Sequence, residues 1–507
     1  MEDKCKFIRE KILNEVKNEI KELGIEPKLA IIKCNDDNSS SVYVRNKLKT
    51  CSDVGIEATL IELNPKETNY TQLHNAIMKA TNDNDSVIIQ FPLCDKFKQY
   101  EKELLKIIPY YKDCDGITDK NILNLYYNNN ENLILPCTVG GINELFKYHN
   151  INIESKNVVV IGRSKIVGSP MAQLMINQNA TVTVCHSKTK DLKSITKKAD
   201  ILIVAVGKAK MINREYVKNG AIVVDVGINR DENNKLCGDC DYNDLKDICS
   251  LITPVPKGIG ILTTAMVTYN VLQCFKLNKK RYENEIWKDI YYEENNKTID
   301  YRGLYQVSNL GNVKSLKGKQ KILKQADDKD GYKIVCLTKN KKHKNFKVHR
   351  LVANMFVLND DTLNKTIINH KDENPYNNCM ENLEWCDYKY NRNYGTSNNR
   401  MIENVKETLK NKDLTKYNNP FYGKHHSDKT KEILKNANSK SILQYDKNGN
   451  LIKRWSSARD ASSELNINYS HISSCCIYYK NGEEWWKKNR KGTPLKSYKG
   501  FVWKFEE

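Results

Sequence analysis

The stretch NVVVIGRSKIVGSPMAQLM, residues 157–175, constrains the fold of this chain more than any other. Val158 to Ile161 form a short apolar, β-branched run that reads as a buried strand. Gly162 ends it, and Gly168 precedes a segment that reads as a helix from Pro170 onward. A strand, a glycine-bearing turn and a helix start aim free backbone N–H groups and a helix dipole at one place, which suits a phosphate. The spacing G-R-S-x-x-V-G-x-P departs from G-x-G-x-x-G. Pattern alone therefore leaves a dinucleotide site and an ordinary α/β turn equally open.

A chain of 507 residues has room for about three domains. Its net charge of +20 is unevenly placed: residues 1–283 carry 40 basic and 35 acidic side chains, residues 284–507 carry 42 and 27. The C-terminal half thus expects an anionic partner, most simply nucleic acid. A Lys/Asn/Tyr-rich codon bias is the bland alternative. The sixteen cysteines follow no spacing framework, and Cys237 and Cys240 have no second pair at zinc-ligand distance. They read as reduced intracellular thiols. No run reaches transmembrane length and the N-terminus is charged rather than signal-like, so a cytoplasmic protein with no membrane partner is expected.

Taken in order, Ile8, Ile12, Val16, Ile20 and Leu23 have helical spacing, with Gly24 as a stop. LAIIKC (29–34) reads as a strand, and SVYVRNKLKTCSDVGI after it as a helix that places Tyr43 and Lys47 on one face. Taken alone such a pair is surface decoration; its position after a strand and polar loop is where α/β sheets bind ligands. Gln90 ends the strand SVIIQFPL. KDCDG puts Asp113 and Asp115 in a tight turn, where an Asp ordinarily bonds its own backbone. In PCTVGGI, Thr138 is a candidate N-cap.

YVRNK, IIQFPL, KDCDG, PCTVGG, VIGRSKIVGSP, TVTVCHS and ITPVPKGIG occur in this order over residues 1–278. The series resembles the methylenetetrahydrofolate dehydrogenase/cyclohydrolase family along its whole length. The resemblance implies an α/β fold of two lobes: a folate-binding catalytic domain, 1–120, completed by a helix at 264–278, and a Rossmann-like NADP domain, 121–263. It implies hydride transfer from a tetrahydrofolate derivative to NADP, then hydrolysis of the methenyl product, by a homodimer. Lys47 would be the catalytic lysine, with a pKa low enough for a neutral fraction to exist. Tyr43 would pack beside it, Gln90 would orient its amine and Asp115 would accept from the pterin edge. Gly162, Arg163, Ser164 and Gly168 would hold the cofactor phosphates, and Val206, Gly207 and Ile228 its nicotinamide end. The strand ATVTVCHS ends in Ser187 and Lys188 rather than in an acid, which favours NADP, with Arg163 and Ser187 at the 2′-phosphate. Three departures stand out: Lys257 where the family has glycine, Ile261 and Leu262 where it has proline and methionine, and Cys94 where it has proline. Lys257 can narrow the site or meet folate's glutamate tail.

KLNKKRYEN (276–284) reads as a charged linker. EIWKDI and YRGLYQVSNLGNVKSL suggest two short strands around a turn, and residues 331–356 a β-hairpin with a lysine-rich turn running into a helix. In INHKDENPYNNCMENLEWCDYKYNRNYG, Asn369 and His370 precede a loop, Asn382 follows it and Asn391 lies in a helix. Such a set can clamp one divalent metal beside an activating His, or can be Asn-rich low complexity. VHRLVANMF, INHKDENPYNN and ENLEWCD resemble HNH homing-type endonucleases. That resemblance implies an α+β ββα-metal nuclease over 331–400, with His370 as general base and Asn382 holding its imidazole. Asn369 and Asn391 would be ligands of Mg²⁺ or Mn²⁺, and His349 structural. Nuclease-associated modules are expected at 285–330, at 418–434 with His425 and His426 against backbone or phosphate, and at 441–507. In the last, a hairpin with an Asn-Gly turn precedes a helix-turn-helix whose Ser470, His471 and Ser473 would contact double-stranded DNA. Two other readings stay open: a noncatalytic folate half beside an active nuclease, or a folate enzyme with a noncutting DNA-binding tail.

Overall fold

The computed structural model describes residues 2–294, 297–395, 440–489 and 496–506. The chain forms two compact units, Met1–Lys406 and Glu407–Glu507. In the first, the β-branched runs become short parallel strands. The inner ones are buried along nearly their whole length, while the edge strands Glu57–Glu62 and Thr181–Cys185 are mostly exposed or half-buried. Lys28–Lys33 lies between Glu57–Glu62 and Ser86–Ile89. Helices Glu2–Leu23 and Asn38–Val54 supply one apolar layer against this sheet, and helix Tyr70–Asp83 another. The second lobe is a five-stranded parallel sheet in the order Leu251–Ile252, Ile222–Asp225, Ile201–Val204, Asn157–Ile161, Thr181–Cys185. Full burial of Val158, Val160, Ile203 and Val224 contributes about 1.5–3 kcal/mol each before entropy is counted.

Helix Ile259–Glu283 returns from the second lobe to pack on helices Glu2–Leu23 and Cys137–Tyr148. Its approach to the latter is close: a Cβ on Gly141 would stand 2.9 Å from Leu262 Cβ. The helix continues to Glu283, so residues 276–284 are its last turns and not the linker expected from their charge. Lys276 pairs with Glu19, and the Arg281 guanidinium lies 3.6 Å from the Tyr111 ring centroid. The charges are thus spent on packing the helix end. Thr138 is likewise not an N-cap. Pro136 precedes helix Cys137–Tyr148 without a side-chain cap, and the Thr138 hydroxyl accepts a hydrogen bond from Thr263 at 3.4 Å.

Beyond the helix the chain is richer in strands than expected. Trp287–Asp289, Tyr305–Ser308, Val313–Ser315 and Lys321–Ile322 form one antiparallel sheet, and Tyr291–Glu294 pairs with Lys297–Asp300. The lysine-rich hairpin is present as Lys333–Lys339 against Lys342–Lys347, turning through Asn340 and Lys341 at positive φ, and it feeds helix Val348–Phe356. Ile367–His370 pairs antiparallel with Leu383–Cys386, followed by helix Tyr388–Asn393. A single core runs from Ile290, Tyr305 and Val307 to Val335, Leu351, Ile368 and Leu383. Among the described residues, those before and after position 330 thus share one core. Tyr376, from the loop after His370, packs against the core of the first lobe.

In the second unit Ile442–Tyr445 and Leu451–Trp455 form the expected hairpin, with Gly449 at φ +90 in its turn. Helices Ala458–Leu465 and Tyr469–Asn489 are separated at Asn466, which adopts φ +49. Val502–Phe505 closes the sheet beside Ile442–Tyr445, burying Trp503. The segment 418–434, with His425 and His426, lies outside the described residues. Among those described, no helix is long and apolar enough to cross a membrane.

Candidate functional site

Strand order places three loops around Lys47. Helix Asn38–Val54 follows the central strand and turns Lys47 inward until it is 7% exposed. The neighbouring strand ends at Ile89, so Gln90 stands beside it: Lys47 Nζ donates to Gln90 Oε1 at 3.3 Å. From the third side Asp115 Oδ1 lies 3.6 Å from Nζ. Asp113, two residues away, has a different job. It accepts from Gly116 N at 2.9 Å, Thr118 N at 2.7 Å and Asn121 Nδ2 at 2.9 Å, and so shapes the turn that presents Asp115. Cys137 and Asn270, which the sequence reading did not single out, complete the surround. The Cys137 thiol donates to Cys114 O at 3.2 Å and sits 3.9 Å from Asp115 Oδ1, while Asn270 Nδ2 donates to Cys114 O and Leu135 O.

Burial is the largest single influence on the Lys47 ammonium and pulls its pKa down. The Asp115 carboxylate, joined by the Cys137 and Cys114 thiols, more than offsets it, and the pKa ends above the ordinary lysine value. The direction is opposite to the lowering expected for Lys47, because a carboxylate answers the buried charge. Tyr43, half-buried, has its phenol pKa raised by burial against the opposing pull of Lys47.

Tyr43 also lines a cleft of about 740 Å³ between the lobes, together with Ile228, Pro254, Lys257 and Ile261. On the second lobe the parallel register aligns Ile161 with Cys185, and Gly162 N donates to Cys185 O at 2.8 Å. This sets Gly162–Arg163–Ser164 beside His186–Ser187–Lys188, with Arg163 and Ser187 both exposed. Gly162 adopts φ +123, and a Cβ on Gly168 would meet Gly162 O at 2.3 Å. Only glycines close this turn. The Ser164 hydroxyl accepts from Val167 N and Gly168 N, each at 3.2 Å, and so caps the helix Gly168–Asn177. The Val206, Gly207 and Lys208 N–H groups all donate to Asp239, an anchor the sequence reading passed over in GDCDY. At the cleft mouth Lys257 adopts φ +73, a left-handed backbone that costs a side-chain-bearing residue about 1 kcal/mol.

The second constellation lies in the strand-loop-strand of Ile367–His370 and Leu383–Cys386. Asn369, His370 and Asn391 line one cavity of about 280 Å³, joined by Asp330, Tyr332, Glu373 and, from the first lobe, Met78. Asn369 Nδ2 donates to Glu384 Oε1 at 2.7 Å, which turns its Oδ1 the other way. Asn382 does not hold the imidazole as expected. Its Nδ2 donates to Asp372 Oδ1 and Asn377 O, both at 2.8 Å, and its Oδ1 accepts from Asp372 N at 3.0 Å. It ties together the loop, and the partner of His370 Nε2 is Asn378 Oδ1 at 3.0 Å. The spacing misled because Asn378 and Asn382 stand four residues apart in one loop, and the Asn382 amide is already engaged by Asp372 and Asn377.

Burial pushes the His370 pKa down to about 4 against a weaker upward pull from Asn378, and that of His349 down to about 3. The two rings meet edge to face at 5.3 Å, and His349 Nδ1 is buried without a hydrogen-bond partner. In the second unit Ser470 Oγ donates to Asn468 Oδ1 at 2.7 Å, so it starts the long helix, while the His471 ring lies 4.7 Å from Tyr498. His471 is exposed and Ser473 half-buried.

Fold and site define a two-lobed α/β enzyme with a nucleotide-binding lobe, followed by small nuclease-associated modules. The models of the tetrahydrofolate dehydrogenase/cyclohydrolase catalytic domain and NAD(P)-binding domain match residues 4–115 and 136–279. The NUMOD4 motif matches residues 285–338 and the NUMOD1 domain 440–475. The Bifunctional protein FolD of Listeria innocua is 44% identical over 286 residues, 56% of this chain and 96% of its own length. The Campylobacter jejuni methylenetetrahydrofolate dehydrogenase/cyclohydrolase structure is 38% identical, spans 55% of this chain and 97% of that one, and has a TM-score of 0.51. The Trypanosoma brucei enzyme, complexed with NADP and an inhibitor, is 31% identical over 54% of this chain and 96% of that one, with a TM-score of 0.51. Through its N-terminal half the chain belongs to the bifunctional FolD dehydrogenase/cyclohydrolase family.

Proposed function

We propose that the N-terminal half oxidises 5,10-methylenetetrahydrofolate with NADP and hydrolyses the methenyl product at the Lys47 site. The observation that carries this is the convergence of Lys47 from helix Asn38–Val54, Gln90 from the end of a strand and Asp115 from a turn. Gly162, Arg163, Ser164, Gly168 and Ser187 form a cradle whose close backbone fits phosphate, with Val206, Gly207 and Ile228 toward the nicotinamide. NADP held there would supply the acceptor for the hydride of the bridging carbon. Asp115 and Gln90 hold the Lys47 ammonium against the folate, where it donates a hydrogen bond. The methenyl cation brings a like charge next to Lys47 and drives its pKa down. The ammonium therefore releases its proton to solvent, and the resulting amine takes one from water as the hydroxyl adds to the carbon. That proton goes to the folate nitrogen as the carbon–nitrogen bond breaks, and the hydroxyl proton passes back to the amine, leaving the 10-formyl product. Tyr43 packs beside this path. NADPH formation from methylenetetrahydrofolate by the full chain, compared with Lys47→Ala, tests the reading. A lysine-independent rate, or none in either protein, overturns it.

For the C-terminal half we propose a metal-dependent HNH endonuclease acting on double-stranded DNA through the flanking modules, including Ser470, His471 and Ser473. Neutral amide oxygens and nearby carboxylates make a hard donor set that fits Mg²⁺ or Mn²⁺. Asn369 and Asn391 would hold it, and it would supply charge for the scissile phosphate. His370 is neutral near pH 7, so it can take the proton of the attacking water, with Asn378 fixing its ring. The +15 excess of residues 284–507 favours a salt-sensitive phosphate contact. Incubation of plasmid with Mg²⁺ and wild type or His370→Ala decides it: equal nicking by both, or none, removes the nuclease.

A further inference from the structure

Asn369 and Glu384 stand opposite each other in the two-stranded sheet of Ile367–His370 and Leu383–Cys386. Residues so paired share one face of the sheet and lie within contact distance. Asn369 is buried and lines the cavity beside His370, while Glu384 is half-buried. An amide can turn either its oxygen or its NH2 group to a ligand, whereas an ionised carboxylate only accepts. The 2.7 Å contact from Asn369 Nδ2 to Glu384 Oε1 therefore engages the NH2 group and leaves Oδ1 as the atom on the other side. The same Glu384 oxygen accepts from the Tyr390 hydroxyl at 3.3 Å. Tyr390 immediately precedes Asn391 in helix Tyr388–Asn393. One carboxylate thus ties the strand that carries Asn369 to the helix that carries Asn391.

Resting on the metal-dependent nuclease reading above, we propose that Glu384 is a positioning residue for the divalent cation. It locks the Asn369 amide with its oxygen free for the metal and holds the helix that brings Asn391. An amide without that lock would spend part of its time presenting NH2, whose positive hydrogens repel a cation. A carboxylate at position 369 would need no lock, since its two oxygens are equivalent, and Glu384 would repel it. Glu384 is therefore matched to an amide at 369 and to nothing more acidic.

Mn²⁺ binding to the full chain, followed by loss of the free-ion electron paramagnetic resonance signal, tests this in a double-mutant cycle. Glu384→Gln gives Asn369 a partner that can donate as well as accept, so the lock is lost. The dissociation constant should rise about ten-fold, the scale of support from groups behind a metal ligand. In the Asn369→Asp background the same substitution should leave affinity unchanged or raise it, because there it removes a repulsion. That change of sign is what loss of negative charge alone cannot produce. The paired variant also keeps a donor–acceptor contact across the sheet with the roles exchanged, which guards against loss of fold. Asp330→Asn takes a carboxylate from the lining of the same cavity and should weaken binding far less than Glu384→Gln. A similar loss from Glu384→Gln in both backgrounds, or an equal loss in Asp330→Asn, overturns the inference and leaves the metal reading intact. No Mn²⁺ binding by wild type overturns the metal reading itself, and the inference with it.

Discussion

Lys47 and His370 are both buried and both titratable, yet the protein settles their charges in opposite ways. Around Lys47 a carboxylate, Asp115, stands 3.6 Å away and keeps the ammonium charged. Around His370 the contact is an amide, Asn378, and burial keeps the ring neutral. Burial disfavours charge in both places, so the difference follows from the partner together with the roughly four-unit gap between the ordinary pKa values of lysine and histidine. On the readings proposed above, the first site would hold a proton to deliver and the second a free lone pair to receive one.

The largest test of that contrast is to give the lysine site an amide like the histidine's. In Asp115→Asn the strongest of the influences that raise the Lys47 pKa is removed, while burial still pulls it down. Its pKa should fall, moving the basic limb of the pH–kcat/KM profile to lower pH. The rate itself should drop roughly 100-fold, the scale of a general acid–base contribution. A basic limb that stays in place means Asp115 does not govern the lysine.

The next test separates the two asparagines that sequence spacing could not. Asn382→Ala strips Asp372, whose pKa burial raises to about 7, of a buried donor and frees the 371–382 loop. It should lower unfolding stability by about 2–3 kcal/mol. Asn378→Ala, which leaves that network whole, should cost about 1 kcal/mol but slow DNA cleavage roughly ten-fold. Chemical denaturation followed through Trp385, paired with a plasmid assay, reads both. Equal stability losses would mean the two asparagines are interchangeable struts.

These outcomes show where sequence was sufficient. The inner parallel strands of the first half were legible because both faces are buried, so runs such as VVVI and ILIV are unbrokenly apolar. Lys47, Gln90 and Asp115 were legible as positions because each follows a strand or turn whose end the sequence marks. Their electrostatics were not, since the sign of the Lys47 shift depends on a distance between loops far apart in the chain. The helix through 276–283 was missed because its charges looked solvated. Only the fold supplies Glu19 for Lys276 and Tyr111 for Arg281. Asn378 was hidden among neighbours of the same type, where composition carries no address.

The smallest effect concerns His349, whose ring edge meets His370 and whose Nδ1 has no partner. A buried polar atom left unpaired contributes nothing that an apolar ring of similar shape cannot. His349→Phe should therefore change stability at pH 7 by no more than about 1 kcal/mol. Acid sharpens the test. With a folded-state pKa depressed to about 3 against roughly 6.5 unfolded, the neutral ring's contribution is complete above about pH 6.5. It is lost as pH falls toward 3, because the unfolded chain takes the proton first. His370, depressed to about 4, behaves the same way and remains in the variant. Acid unfolding of His349→Phe should therefore begin at lower pH and fall less steeply than in wild type. Lys47, whose pKa is raised, should add nothing to that slope, since its contribution is lost only on the alkaline side. An acid limb identical in the two proteins would show that His349 is hydrated in solution and that the dry, neutral pair inferred around His370 is wrong.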